Sequence, residues 1–153
     1  MTMKLYLDTE FTQLDWTAKL ISIAVVDENE DVFYVELNDN YTVDDCSDFV
    51  KKNVLPHLLG HHSKMPYYEA AARLSQWISD RGVPCKFATD APHWDMRLIE
   101  PLLEHIWPDN LSKDVSLVSI PYNYEQELFI KYDFTPHFAP HDALVNKRAT
   151  CGK

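Results

Sequence analysis

The first forty residues switch between apolar runs and short polar breaks at strand spacing. Met3-Lys4-Leu5-Tyr6-Leu7-Asp8-Thr9-Glu10-Phe11 joins β-prone residues to partial alternation and loses its pattern near Gln13 to Trp16, which predicts a strand at about 3–10. Lys19 to Asp27 is nearly all apolar and rich in Ile and Val, and Val32 to Leu37 is a further β-prone run. Between them, Glu28-Asn29-Glu30-Asp31 is a polar turn of hairpin length, so three antiparallel strands open the chain.

Helical spacing follows. Thr42 or Asp44 can cap a helix through Phe49 and Val50 to about Val54, with Pro56 beyond its end. Tyr67 to Asp80 sets Ala71, Leu74, Trp77 and Ile78 at helical intervals, and Gly82 stands where a C-terminal cap belongs. Pro84 to Thr89 predicts a short buried strand, after which Pro92-His93-Trp94-Asp95 opens a helix with proline in its first turn. Pro101 is expected to kink or split the segment from His93 to Trp107 near Glu100. Val115 to Ile120 predicts a fifth strand, Tyr124 to Lys131 a short helix and 133–139 a loop. A last helix begins near Pro140-His141 and must end by Gly152. Hairpin strands that give way to βα crossovers predict one α/β domain over 1–153, a mixed five-stranded sheet with helices on both faces.

Composition narrows the function classes. The longest apolar run, Leu20 to Val26, is far shorter than the roughly 20 residues a membrane span needs. The start, Met1-Thr2-Met3-Lys4, enters a strand with no apolar signal region, so a cytoplasmic protein without membrane partners is expected. Cys46, Cys85 and Cys151 are odd in number and far apart, which predicts free thiols and argues against a thiolate zinc site. With three glycines, the chain holds no glycine-rich phosphate loop. Its formal charge is 14 − 24 = −10, so an unaided grip on a phosphate backbone is not expected; bound divalent cations would reverse the field locally.

That directs attention to hard-cation ligands. Asp8 and Glu10 are two apart on a strand, so both carboxylates point to one face and can hold one cation between them. Asp95 stands in a helix's first turn, where an acid also suits the helix dipole, and Asp90 at the preceding strand end competes with it. His141-Asp142 opens the last helix. His57, His61 and His62 lack an acidic or cysteine partner nearby and read as a solvated loop, not a zinc site. Of the basic doublets, Lys51-Lys52 reads as a solvated face, and Lys147-Arg148 lies beside the last motif, within reach of a phosphate.

Taken in order, Asp8-Thr9-Glu10-Phe11, Leu20-Ile21-Ser22-Ile23-Ala24-Val25-Val26, Trp94-Asp95 and His141-Asp142-Ala143-Leu144-Val145 resemble the DEDDh 3′→5′ exonucleases on the ribonuclease H-like fold. The chain is most similar there to the small bacterial 3′→5′ exoribonucleases whose third motif reads H-D-A-L-V-D. The resemblance implies that Asp8, Glu10 and Asp95 are ligands to two Mg²⁺ or Mn²⁺ ions, with Asp8 bridging, and that His141 is the general base. The family's fourth acid falls at Asn146, a neutral amide in a ligand position, which predicts a weakened or inactive enzyme. Rearrangement of Asp142 to replace it ranks last among the explanations, behind an engineered substitution and a naturally degenerate nuclease.

Two ions can activate a water, steady the leaving 3′ oxygen and offset charge on the phosphorane. Phe11 and Trp94 are candidates for stacking on terminal bases, although both also suit a core. The expected partner is nucleic acid, RNA ahead of DNA, and the resemblance allows a homodimer. The competing expectations are a DNA 3′→5′ exonuclease, and an inactive domain of this type that binds nucleic acid or protein.

Overall fold

The computed structural model describes residues 2–151. The helix end expected by Gly152 lies outside the described residues. Six strands form one mixed sheet: β1 (Met3–Phe11), β2 (Leu20–Val26), β3 (Val32–Leu37), β4 (Lys64–Met65), β5 (Cys85–Thr89) and β6 (Leu111–Leu117), in the order β4-β3-β2-β1-β5-β6. β1 and β2, and β2 and β3, pair antiparallel as expected, whereas β5 lies parallel to β1 and β6 parallel to β5. The expected count of five is exceeded by β4, a two-residue strand parallel to β3 that is too short to carry any periodicity.

Period two sorts β1 onto the two faces of the sheet. Leu5 and Leu7 point into the larger core with Ile23, Val25, Val35 and Phe87. That face is covered by α2 (Tyr67–Ser79), through Ala70, Ala71, Leu74 and Ile78, and by α3 (Pro92–Leu103), through Met96, Ile99 and Leu103. Tyr6 faces the other way, with Ala24, Val26 and Ala88, against α5 (Ala139–Cys151). Four alanines, Ala24, Ala88, Ala139 and Ala143, line this contact and let the helix approach the sheet closely. Helices thus cover both faces, as expected.

The remaining helices are α1 (Asp48–Asn53), capped by the Ser47 hydroxyl, which accepts from the Val50 N–H at 3.2 Å, and α4 (Tyr122–Tyr132). The helix expected from Thr42 or Asp44 is divided: a 3₁₀ turn at Val43–Asp45 ends at Cys46, whose backbone is extended, and α1 starts afresh. α3 runs through Pro101 without a split and stops at Leu103. β6 begins four residues before the expected Val115, because Ser112, Lys113 and Asp114 lie on an edge strand where polar residues need not alternate. Gly82, at φ +68°, makes the left-handed turn after α2. Arg81 beside it bridges buried Asp27 (2.7 Å) and Asp31 (2.6 Å) and stacks on Trp77, tying α2 to the β2–β3 turn. Among the described residues no helix is long and apolar enough to cross a membrane.

Candidate metal centre

Asp8 and Glu10 sit near the carboxyl end of β1, on the face turned to α5, and a bulge follows at once between Glu10 and Phe11. The turn after β5 lies alongside. In open α/β sheets such carboxyl ends, at the point where the strand order reverses, form the ligand-binding crevice. Here the crevice is a cleft of about 1140 Å³ walled by β1, α1, the β5–α3 turn, α4, the loop before α5, and α5 itself.

Two sets of carboxylates meet in it. Oxygens of Asp8, Glu10 and Asp142 lie within 4.8 Å of one another, and so do oxygens of Asp8, Asp90 and Asp95. Three of the expected ligands, Asp8, Glu10 and Asp95, are therefore brought together, with Asp8 common to both sets. Asp95 reaches the site from α3 and is 1% exposed. Its carboxylate accepts from the Thr9 hydroxyl at 2.7 Å and from the Thr89 hydroxyl, so β1 and β5 together fix its orientation.

The crowding perturbs all of these groups. Burial, then the charges of Asp142, Glu10 and Asp95, hold the Asp8 carboxyl well above the usual range. Glu10 is likewise raised, first by burial and next by Asp142. Asp95 and Asp142 are each pushed up to about 7, chiefly by burial. One Asp8 oxygen, Oδ2, is buried and has no hydrogen-bond donor. Among the described residues no Lys or Arg lines the cleft. An unpartnered buried carboxylate oxygen amid like charges is costly unless a cation completes it, and an all-oxygen donor set suits Mg²⁺ or Mn²⁺.

The third motif is arranged differently from expectation. An Asp142 oxygen stands with those of Asp8 and Glu10, the position that the explanation ranked last would give it, while the Asn146 side chain lies beside Asp90. The reason is helical phase. α5 begins at Ala139, which sets Asp142 at the sheet end of its inner face and Asn146 one turn further on. Asn146 also lines the cleft, 2% exposed, and lies toward Asp90.

His141 is absent from the cleft wall. Its ring stacks on Phe134 at 4.4 Å and meets Phe138 edge-on at 4.8 Å, and its Nδ1 accepts from the Thr135 N–H at 2.8 Å. The histidine on the wall is His137, which packs edge-on against Phe49 at 5.0 Å. Its backbone N–H donates to Asp142 Oδ1 at 3.3 Å. Burial, with a smaller contribution from His57, lowers its pKa, as burial does for His141. A histidine followed five residues on by an acid or its amide occurs twice in overlapping registers, His137/Asp142 and His141/Asn146. The first pair faces the cleft.

Phe11 lines the cleft, whereas Trp94 stacks behind it at 5.7 Å and is not part of the wall. The doublet Lys147-Arg148 is engaged elsewhere: Lys147 (3.2 Å) and Arg148 (2.8 Å) both bind Glu30 on the β2–β3 turn, which holds the Glu30 carboxyl down to about 2. The doublet is not free to meet a phosphate in the cleft. Cys46 and Cys85 are buried free thiols, and Cys151 is an exposed one.

No family model and no curated protein sequence matches the chain.

Proposed function

We propose that this chain is a metal-dependent 3′→5′ exonuclease of the DEDDh type on a ribonuclease H-like fold, acting on RNA in preference to DNA. The observation that carries the reading is the convergence of Asp8, Glu10, Asp95 and Asp142, from β1, α3 and α5, on one cleft with an orphan carboxylate oxygen at its centre. The sheet order supports the fold: an antiparallel β1-β2-β3 meander extended by β5 and β6 parallel to β1. With Asp142 in the cluster the site has four carboxylates, and Asn146 ceases to be a reason to expect an inactive enzyme.

Asp8, Glu10, Asp95 and Asp142 would hold two Mg²⁺ or Mn²⁺ ions. Such ions, when bound, supply positive charge at the scissile phosphate and lower the pKa of a coordinated water. The chain's own contributions are separable. Thr9 and Thr89 keep the Asp95 carboxylate fixed, so no reorganisation is needed as charge develops. His137, held beside Asp142 by its own backbone, takes the proton from the attacking water. Phe11, Leu14, Phe49 and Val50 give the terminal nucleotide an apolar wall for its base. RNA over DNA rests on the resemblance to the small exoribonucleases.

The test uses RNA and DNA oligonucleotides of one sequence, labelled at the 5′ end and incubated with Mn²⁺. A ladder of successively shorter products that requires metal and a free 3′ hydroxyl is expected, faster on RNA. Cleavage of a circular substrate, or turnover indifferent to chelation, would overturn the reading.

A further inference from the structure

We propose that Asp90 is a fifth carboxylate of the metal centre, forming with Asp8 and Asp95 a second divalent-cation pocket beside that of Asp8, Glu10 and Asp142. This rests on the metal-dependent reading above, and it adds a ligand that the motif set does not contain. Asp90 follows the last residue of β5, and its backbone is fixed from both sides. The Thr89 hydroxyl accepts from the Ala91 N–H at 3.0 Å while donating to Asp95, so the residues flanking Asp90 are tied to the same carboxylate that shares its pocket. Its oxygen lies within 4.8 Å of those of Asp8 and Asp95.

One further observation points to a bound ion, and a second to how Asp90 is oriented. Asp8 Oδ2 is buried without a donor, and Asp8 is the residue common to both sets. Asn146 is 2% exposed, lines the cleft and turns its side-chain amide toward Asp90. Beside a carboxylate it has a use as a positioning residue, because a ligand carboxylate is commonly oriented by a neighbouring donor. Asp90 is solvent-exposed, so an ion held there keeps water in its coordination shell, as Mg²⁺ and Mn²⁺ prefer.

The experiment titrates Mn²⁺ into the full chain and counts bound ions by the loss of the free-ion electron paramagnetic resonance signal, with calorimetry for affinity. Wild type is expected to bind two ions. Asp90→Asn is expected to retain one at unchanged affinity and to bind the second roughly 10–100-fold more weakly, with Asn146→Ala reproducing part of that loss. Asp142→Asn is expected to weaken the other ion. Asp90→Ala, run in parallel, guards against rescue by the new amide, and circular dichroism checks that each variant is folded. Two ions bound to Asp90→Asn and Asp90→Ala with wild-type affinity would overturn the assignment while leaving the metal-dependent reading intact. Equal loss of both ions would overturn the separate pocket. Wild type that takes up no Mn²⁺ would overturn the functional reading as well.

Discussion

Replacing Asp95 with asparagine removes a carboxyl that the metal-free fold holds at an unfavourable ionisation. At 1% exposure its pKa is pushed up to about 7, by burial first, against 3.8 for the free side chain. The sign follows from proton linkage. Above pH 3.8 the unfolded chain releases this proton and the folded chain does not until about pH 7. Unfolding is therefore increasingly favoured across that window, and the native state loses stability as pH rises through it. Between pH 5 and pH 7 lie about two units of the window, each worth roughly 1.4 kcal/mol, so the chelated wild type should lose on the order of 3 kcal/mol through Asp95 and the carboxylates coupled to it. Asparagine does not titrate. The variant also alters the bonds from Thr9 and Thr89, at a cost of about 1–2 kcal/mol, but that cost is nearly the same at every pH and cancels when the two proteins are compared at pH 5 and at pH 8. The measurement is thermal unfolding with excess chelator. Relative to wild type, Asp95→Asn should gain roughly 5–10 °C in Tm on going from pH 5 to pH 8. Saturating Mn²⁺ should stabilise wild type at pH 8 more than the variant, which keeps only the pocket of Asp8, Glu10 and Asp142. A difference between the proteins that stays constant with pH would refute the electrostatic account of the cluster.

In single-turnover hydrolysis with saturating Mn²⁺, His137→Ala should lower the rate by about 10²–10⁴, as loss of a general base does, and His141→Ala should leave it within a few-fold; the reverse pattern would restore His141 to the site. Calorimetric Mn²⁺ titrations in buffers of different ionisation enthalpy should show protons released on binding and affinity falling below pH 7, because Asp95 and Asp142, each near 7, must be deprotonated to act as ligands. Urea denaturation of Arg81→Ala should show a loss of about 3 kcal/mol, since Asp27 would be left buried without its guanidinium. An unchanged midpoint would mean that the bridge between α2 and the β2–β3 turn contributes nothing.

The elements whose pattern is set by burial were legible in the sequence. β1, β2 and β3, and the inner face of α2, are read from period two, from a continuous apolar run and from period 3.6, because each has a face that must be covered. Where burial does not dictate the residue, the reading failed. β6 is an edge strand exposed at Lys113 and Asp114, β4 is two residues long, and the 3₁₀ turn at Val43–Asp45 hides a chain reversal behind a good helix-capping signal. Pro101 was expected to break its helix. It lies less than one turn from the end of α3, where few backbone bonds remain to be lost.

The first two motifs were legible for a different reason: a strand fixes the direction of every side chain, so Asp8 and Glu10 could be assigned to one face from spacing alone. The third holds two overlapping pairs at the same spacing, His137/Asp142 and His141/Asn146, and spacing alone does not choose between them. On α5, Asp142 and Asn146 are four apart and share one face, Asp142 beside Asp8 and Glu10 and Asn146 beside Asp90, while His141 turns onto Phe134 and Phe138. With the phase set in this way the electrostatics close on one another. Asp142 adds a charge that Asn146 lacks, Asn146 lies beside Asp90, and under the proposed function the acidic cleft of an already acidic chain would hold nucleic acid only through bound cations. Hence chelation should abolish association with RNA and not merely its hydrolysis.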